Sequence, residues 1–309
     1  MGACGASSYG KIALFEQDES FSVNHNNNNN DNDNDNDSKN DKAIAFIGGG
    51  NMASAMIGGL IKQGMPPNSI LVVDPFEPTR DKLLSDFGIQ AKATPSAELS
   101  NAGLIIWAVK PQVFKDAAQQ IGSYAPKALH FSVAAGIRSD SIAAWLKTDN
   151  VVRSMPNTPA VIGKGMTALY ARPAVTQAGK AWVERVVASM GEFLWLNEES
   201  QLDAVTAISG SGPAYVFYFL EAMTEAAVKM GLSAEQGRRL AISTFSGASE
   251  LAHRSDEPLE TLRQRVTSKG GTTYAALMAM EGDDIKSHFI KAMQAAQIRA
   301  KELGDEFGN

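Results

Sequence analysis

The sequence predicts an α/β protein, with an N-terminal doubly wound, mainly parallel sheet followed by an all-α C-terminal domain. From Ala43 to about Glu199, short apolar runs that end in turn residues alternate with helical patterns. Beyond that point strand signals vanish, and five helical patterns rich in Ala, Met and Leu follow. No solenoid-length repeat competes with this reading.

The first apolar run, Ala43 to Ile47, passes into three glycines and a helix over about Met52 to Gln63. A second run, Ile70 to Val73, ends at Asp74-Pro75, and Arg80 to Phe87 reads as helix. Leu104 to Val109 reads as a buried strand broken by Lys110-Pro111. His130 to Ala134, Val151 to Arg153 and Thr167 to Tyr170 read as further strands, and Trp182 to Met190 as a helix. In the second half, helices are predicted over Tyr215 to Met230, Glu235 to His253, Leu259 to Val266, Thr273 to Met280 and Asp284 to Leu303. The domains are therefore 43–199 and 200–309. No long polar linker separates them, so tight packing is expected, across a dimer if one forms.

Residues 1–42 stand apart. From Asn24 to Asp41 the chain is nearly all Asn and Asp, with too little apolar surface to offset chain entropy, which predicts a disordered tail. It reads as a solvated extension, with a partner-binding tail as the other reading. Calcium binding is set aside, because the Gly-assisted turn and closing Glu of a calcium loop are missing. Of the net charge of −6, the tail contributes −5 and the body −1. A nearly neutral body argues against nucleic acid and against a basic membrane face. The single cysteine, Cys4, lies in the tail, so the body has no disulfide, cysteine zinc site or cysteine nucleophile. No run reaches membrane-span length, Lys11 to Phe15 is too short for a signal core, and Ala6 spoils a myristoylation site at Gly2. A soluble cytoplasmic protein is expected.

Gly48-Gly49-Gly50-Asn51-Met52-Ala53 fits G-x-G-x-x-A between a strand and a helix. Gly48 permits the tight turn, Gly50 allows close approach to a pyrophosphate, and small Ala53 lets the helix press on the strand. The helix N-terminus then offers unpaired N–H groups and partial positive charge to the phosphates. An acid, Asp74, closes the second strand, so the pattern is that of a Rossmann-type dinucleotide site rather than a turn serving packing alone. Asp74 in that position accepts the ribose hydroxyls of NAD and repels a 2′-phosphate, yet Arg80 and Lys82 follow closely enough to pair with one. NADP and NAD both stay open at this point.

Strand ends are where such sheets hold ligands. Ala108-Val109-Lys110-Pro111 is therefore read as lining the dinucleotide, with the Lys110 amine either touching cofactor or reaching solvent. Ser132 to Gly136, including Ala135, and Met155-Pro156-Asn157-Thr158-Pro159 occupy equivalent positions. Asn157 could bond nicotinamide or substrate, or tie its own backbone as turn asparagines do. In the helical half, Ser268-Lys269-Gly270-Gly271-Thr272-Thr273 precedes a helix start and suits a small anion such as a carboxylate, with an ordinary N-cap as the alternative. Ser209-Gly210-Ser211-Gly212-Pro213 is a second glycine-rich helix start, with Pro213 placed for a first turn. His130, His253 and His288 are scattered, without metal or triad spacing, so no metal is expected. Apart from Lys269, neither glycine-rich segment holds a basic side chain, which favours a hydride acceptor needing little proton extraction, such as a protonated imine, over an alcohol.

These motifs together resemble the pyrroline-5-carboxylate reductase family. The resemblance rests on Ile47-Gly48-Gly49-Gly50-Asn51-Met52, Ala108-Val109-Lys110-Pro111, Met155-Pro156-Asn157-Thr158-Pro159, Asp203-Ala204-Val205-Thr206, Ser209-Gly210-Ser211-Gly212-Pro213-Ala214-Tyr215 and Ser268 to Thr273. It covers residue 43 to the C-terminus. It implies NAD(P)H-dependent reduction of 1-pyrroline-5-carboxylate to L-proline, the last step of proline synthesis. NADPH is the usual family donor, and NAD remains open here because of Asp74. A homodimer through the C-terminal helices, often within a larger homo-oligomer, is also implied, with substrate near the interface. By motif match, Gly48, Gly49, Gly50, Asn51, Met52, Asp74, Ala108, Val109, Lys110, Pro111, Ala135 and Asn157 face the cofactor. Glu199, Ser268, Gly270, Gly271, Thr272 and Thr273 face the substrate, with the Thr273 hydroxyl as donor to the ring nitrogen. Glu199 would otherwise read as a surface acid.

Two departures stand out: Lys269 where the family commonly has Pro, and Asp74 in place of a small hydroxyl residue. Rival readings are a related imine reductase, a β-hydroxyacid dehydrogenase and a non-catalytic NAD(P) sensor. The dehydrogenase would carry a Lys on the first long helix of the second domain, and none occurs from Pro213 to Ala227. The sensor has no need of Ser268 to Thr273.

Overall fold

The computed structural model describes residues 43–308; the Asn/Asp-rich tail lies outside them. The first half runs β1 (Ala43–Ile47), α1 (Asn51–Lys62), β2 (Ile70–Val73), α2 (Glu77–Phe87), β3 (Ala102–Trp107), α3 (Pro111–Ile121), β4 (Leu129–Ser132), α4 (Ser139–Leu146) and β5 (Val151–Met155). It continues through β6 (Gly165–Ala171), α5 (Gln177–Ala188) and β7 (Gly191–Trp195). The strands form one sheet in the order β2-β1-β3-β4-β5-β6-β7. Pairing is parallel from β2 to β5, antiparallel between β5 and β6, and parallel again between β6 and β7.

Period-two alternation puts successive side chains of each strand on opposite faces. Ile44 and Phe46 of β1 and Leu104 and Ile106 of β3 join α1 and α5 in one core. Ala45, Ile47, Ile105 and Trp107 join α3 and α4 in the other. The sheet is thus sandwiched between two helical layers, the doubly wound arrangement expected. Within the second core Trp107 Nε1 donates to His130 Nδ1 at 3.1 Å. Burial lowers the His130 pKa to about 4 from 6.5, so the folded protein holds this ring neutral. Between those values the unfolded chain binds a proton that the folded chain does not, so stability falls as pH drops through the window. The whole shift corresponds to about 3 kcal/mol. His130→Gln, which keeps an acceptor for Trp107, is expected to flatten the loss of stability between pH 6.5 and 4, measured by urea unfolding.

The second half is helical: α6 (Gln201–Val205), one π-helical turn (Thr206–Gly210), α7 (Gly212–Lys229), α8 (Ala234–His253), α9 (Leu259–Arg265), α10 (Thr272–Gly282) and α11 (Ile285–Phe307). The end of α11 returns to the sheet layer, where Ser141 Oγ donates to the Gly308 carbonyl at 2.9 Å and Arg138 pairs with Asp305. Neither α7 nor α10 buries a single residue within one chain. Phe217, Tyr218 and Met280 are more than half exposed. Apolar faces of that extent are not left to water.

Several boundaries differ from expectation, among them the start of α5, at Gln177 rather than Trp182, and the end of β4, at Ser132 rather than Ala134. Helix α2 begins at Glu77, since Pro78 sits in its first turn, where a missing N–H costs nothing. Strand β3 stops at Trp107, leaving Ala108 and Val109 in the turn. Strand β7 was not expected at all. Among the described residues no helix is long and apolar enough to cross a membrane.

Candidate active site

The sheet brings the predicted turns to one edge. β1 lies between β2 and β3, so its end is the switch point where chain connections diverge. Backbone bonds stitch the strand ends together: Gly48 N–H to the Val73 carbonyl at 2.8 Å, Ala108 N–H to Ile47 at 2.8 Å and Val133 N–H to Trp107 at 3.1 Å. The glycine turn, Asp74 and Ala108–Pro111 are therefore neighbours, with Ala135 on the next turn along.

Gly48 has φ +93, and a Cβ there would lie 2.5 Å from the Ala108 carbonyl oxygen, so no other residue fits. Gly50 is the N-cap of α1 and carries no side chain to occupy its N–H groups. A Cβ at Gly50 would meet nothing within 4 Å, so the space before the helix is open. Asn51 is exposed and Met52 partly so at the same helix start, while Ala53 is fully buried against the sheet. An open cradle before an uncapped helix start fits the pyrophosphate of a dinucleotide.

Asp74 is more occupied than its position suggests. One carboxylate oxygen accepts the Gly49 N–H at 2.8 Å and the other accepts the Phe76 N–H at 2.8 Å. It braces the glycine turn. Of the two candidate cations, Lys82 pairs with Asp86 along α2 at 2.6 Å. Arg80 donates through Nη1 to the Asp74 and Pro75 carbonyls at 3.0 and 2.8 Å, which holds its guanidinium over the β2–α2 turn. Lys110, the N-cap of α3, is exposed.

Asn157 follows β5, and its side chain bonds to two other segments of the chain. Its Nδ2 donates to the Ser209 carbonyl at 3.3 Å and to Ser209 Oγ at 3.2 Å, while its Oδ1 accepts from the Met166 N–H at 2.9 Å. Glu199 is likewise engaged. Its carboxylate accepts the Ser139 N–H at 2.7 Å, the Ser139 hydroxyl, and Arg153 Nη1 at 2.8 Å. Both residues sit where the helical half leaves the sheet. Nothing in the local sequence pattern around Glu199 announced a buried partner at Arg153.

The Ser268–Thr273 loop leads into the start of α10. Gly270 has φ +75, Gly271 is the N-cap of α10, and the first intrahelical bond is Ala275 N–H to the Gly271 carbonyl at 3.1 Å. The N–H groups of Thr272, Thr273 and Tyr274 are thus free of helix partners. Both threonines are exposed in one chain. Lys269 lines a cavity of about 360 Å³ with Arg263, Thr267 and Tyr274, among residues of α9 and α10. Among the described residues no cluster of His, Cys, Asp or Glu is placed to hold a metal ion.

Residues 199–303 match the sequence model for pyrroline-5-carboxylate reductase dimerisation. A pyrroline-5-carboxylate reductase from Pseudomonas aeruginosa is 42% identical over 268 residues, covering 86% of this chain and 98% of the relative. The chain belongs to the pyrroline-5-carboxylate reductase family. Residues 43–136 also match the model described as NADP oxidoreductase coenzyme F420-dependent. Among solved structures, the family member from Coxiella burnetii superposes with a TM-score of 0.80 at 36% identity, covering 85% of this chain and 98% of that one. The Plasmodium falciparum pyrroline carboxylate reductase, solved with NADP bound, gives 0.76 at 28% identity over 85% of this chain and 98% of its own. The family is one of NAD(P)H-dependent oxidoreductases, and its dimerisation region includes α7 and α10, which bury no residue within one chain.

Proposed function

We propose that this protein reduces the ring C=N bond of 1-pyrroline-5-carboxylate to give L-proline, with NADPH as hydride donor, as a homodimer within a larger homo-oligomer. The observation that carries the reading is the Ser268–Thr273 nest, a carboxylate-sized set of free N–H groups at the start of a helix that a second copy must cover. When bound, a nicotinamide cofactor would supply the hydride to the protonated imine, while the chain supplies position and a hydrogen-bond donor toward the ring nitrogen. Gly48 to Met52 hold the pyrophosphate at the start of α1, while Ala108 to Pro111 and Ala135 wall the remaining cofactor and Asn157 holds the turn at the end of β5 beside them. Ser268, Gly270, Gly271 and the Thr272 and Thr273 amides hold the substrate carboxylate. The Thr273 hydroxyl donates to the ring nitrogen, and Glu199 supports the site from the domain junction. Residues 43–199 serve as the cofactor domain and 200–309 as the dimerisation and substrate domain. The test is oxidation of NADPH and of NADH with racemic pyrroline-5-carboxylate; absence of turnover with both would leave a nucleotide sensor.

For the cofactor, Arg80 is the residue placed to read a 2′-phosphate. Asp74 opposes that phosphate by like charge, on the order of 1 kcal/mol or about fivefold. Asp74→Asn is expected to weaken both cofactors through the lost brace on Gly49, yet to raise the NADPH-to-NADH affinity ratio about fivefold. Fluorescence titration of both nucleotides checks it. An unchanged ratio would mean that the Asp74 charge is not felt at the ribose.

A further inference from the structure

We propose that Asn157 is a positioning residue which, through Ser209 on the π turn, locks the cofactor-side wall to the helical half of the protein. The proposal rests on the reductase reading above for its kinetic consequence, though not for its structural one. The planar amide of Asn157 joins three segments. It reaches the exit of β5, the start of β6 through the Met166 N–H, and the π turn through Ser209.

The sequence Ser209-Gly210-Ser211-Gly212-Pro213 is built for that join. In a continuing helix the Ser209 carbonyl would accept from the N–H four residues on, which is Pro213, and proline has none. The carbonyl is therefore left open, and Asn157 takes it. The turn widens instead, with the Ser211 N–H bonded to the Thr206 carbonyl at 2.8 Å, the i to i+5 pattern of a π-helix. Gly210 then allows contact from the other side, since a Cβ there would lie 2.3 Å from Met155 Cε. Ser209 supplies two acceptors, Gly210 the close approach, and Pro213 removes the competing donor. Pro213 also suits the first turn of α7 in its own right, so it is the pairing of Asn157 with both Ser209 acceptors that carries the join.

Glu199 fastens the same segment at its other end, to Ser139 and Arg153. The connection from Glu199 to Ser211 is thus pinned at both ends and is not a free hinge. Through it, the turn at the end of β5 is held in register with α7. Displacing such a wall by about 1 Å is enough to cost on the order of 100-fold in rate.

The experiment compares Asn157→Ala, Asn157→Asp and Ser209→Ala with the parent, using the full chain. Three quantities are read: NADPH affinity by fluorescence, kcat and KM for pyrroline-5-carboxylate, and amide hydrogen exchange over residues 155–166 and 206–214. Asn157→Ala is expected to lower kcat/KM roughly 10- to 100-fold, with NADPH affinity near that of the parent and faster exchange in both segments. Asn157→Asp keeps the acceptor for Met166 but turns a carboxylate on the Ser209 carbonyl. Its activity relative to the parent should recover as pH falls and the protonated carboxyl donates again. Ser209→Ala, which keeps the carbonyl acceptor, should show a severalfold loss and decides the matter if Asn157→Ala fails to fold. Parent-like exchange with weakened NADPH binding would overturn the proposal in favour of direct cofactor contact. Parent-like exchange and kinetics together would also overturn it. If the parent itself does not turn over the substrate, the reductase reading fails, while the exchange comparison still judges the lock.

Discussion

Thr273→Ala is expected to cut kcat by roughly 100- to 1000-fold, the usual cost of losing one aimed donor to developing charge, about 2.7–4 kcal/mol. Thr273 stands second in α10, its hydroxyl makes no capping bond, and it is exposed in one chain. Removing the hydroxyl therefore costs the helix start nothing, and a loss of activity cannot be laid to a lost cap. NADPH affinity should stay near the parent value, because the phosphates are held at the far glycine turn. The neighbouring amides remain in the variant, so substrate KM should rise less than kcat falls. Thr273→Ser restores a hydroxyl at the same atom and should recover most of the rate. Steady-state kinetics with both variants give the answer. If Ala and Ser variants turn over like the parent with unchanged KM, the threonine only starts a helix, and the proton must come through another group.

The glycine turn after β1 was legible because its demands are those of the backbone. Gly48 is required by a positive φ and a carbonyl 2.5 Å from its missing Cβ, and only one residue type meets that demand. The end of β2 could likewise be read from the apolar run that stops at Asp74, while the run before Lys110 overshot β3 by two residues and the reading of β5 stopped two residues short of Met155. Strand β7 escaped because Gly191–Trp195 is five residues long and half-buried, with Glu192 and Leu194 outward. A pattern that short does not separate from a loop after a helix. Arg80 and Lys82 could not be told apart in sequence, since the choice depends on the one-turn reach of Lys82 to Asp86. The Ser268–Thr273 segment was visible as a glycine-rich helix start, whereas the small cavity beside Thr267, Lys269 and Tyr274 depends on how α9 packs on α10, which no local pattern encodes. Least legible were the long-range bonds. Asn157 to Ser209 and Glu199 to Ser139 span 52 and 60 residues, and no local pattern encodes them.

Glu199→Ala is expected to destabilise the folded protein by about 3–5 kcal/mol, the cost of leaving a buried charge without its partner. The Arg153 side chain is 7% exposed and that of Glu199 20%, so water from the adjoining polar cavity and the nearby Asp203 carboxylate replace the lost partner only in part, which sets the loss at the lower end of that range. The same change strips the Ser139 N–H and hydroxyl, at the start of α4, of their acceptor. A loss of that size should lower Tm by about 10 °C, given the few degrees per kcal/mol typical of a domain this large. The exposed Lys82–Asp86 pair offers the contrast: Lys82→Ala should leave Tm within error, since solvent already screens it. Replacing both buried partners, Arg153→Met with Glu199→Leu, should recover much of the stability, because neither charge then needs compensation. Kinetics of Glu199→Ala well below its melting range separate the two roles assigned to this residue. If it only pins the domain junction, KM for pyrroline-5-carboxylate stays within a few fold of the parent wherever the protein is folded. A parent-like Tm with a sharply raised KM would reverse the assignment and make Glu199 a substrate ligand whose bonds to Ser139 and Arg153 merely aim it.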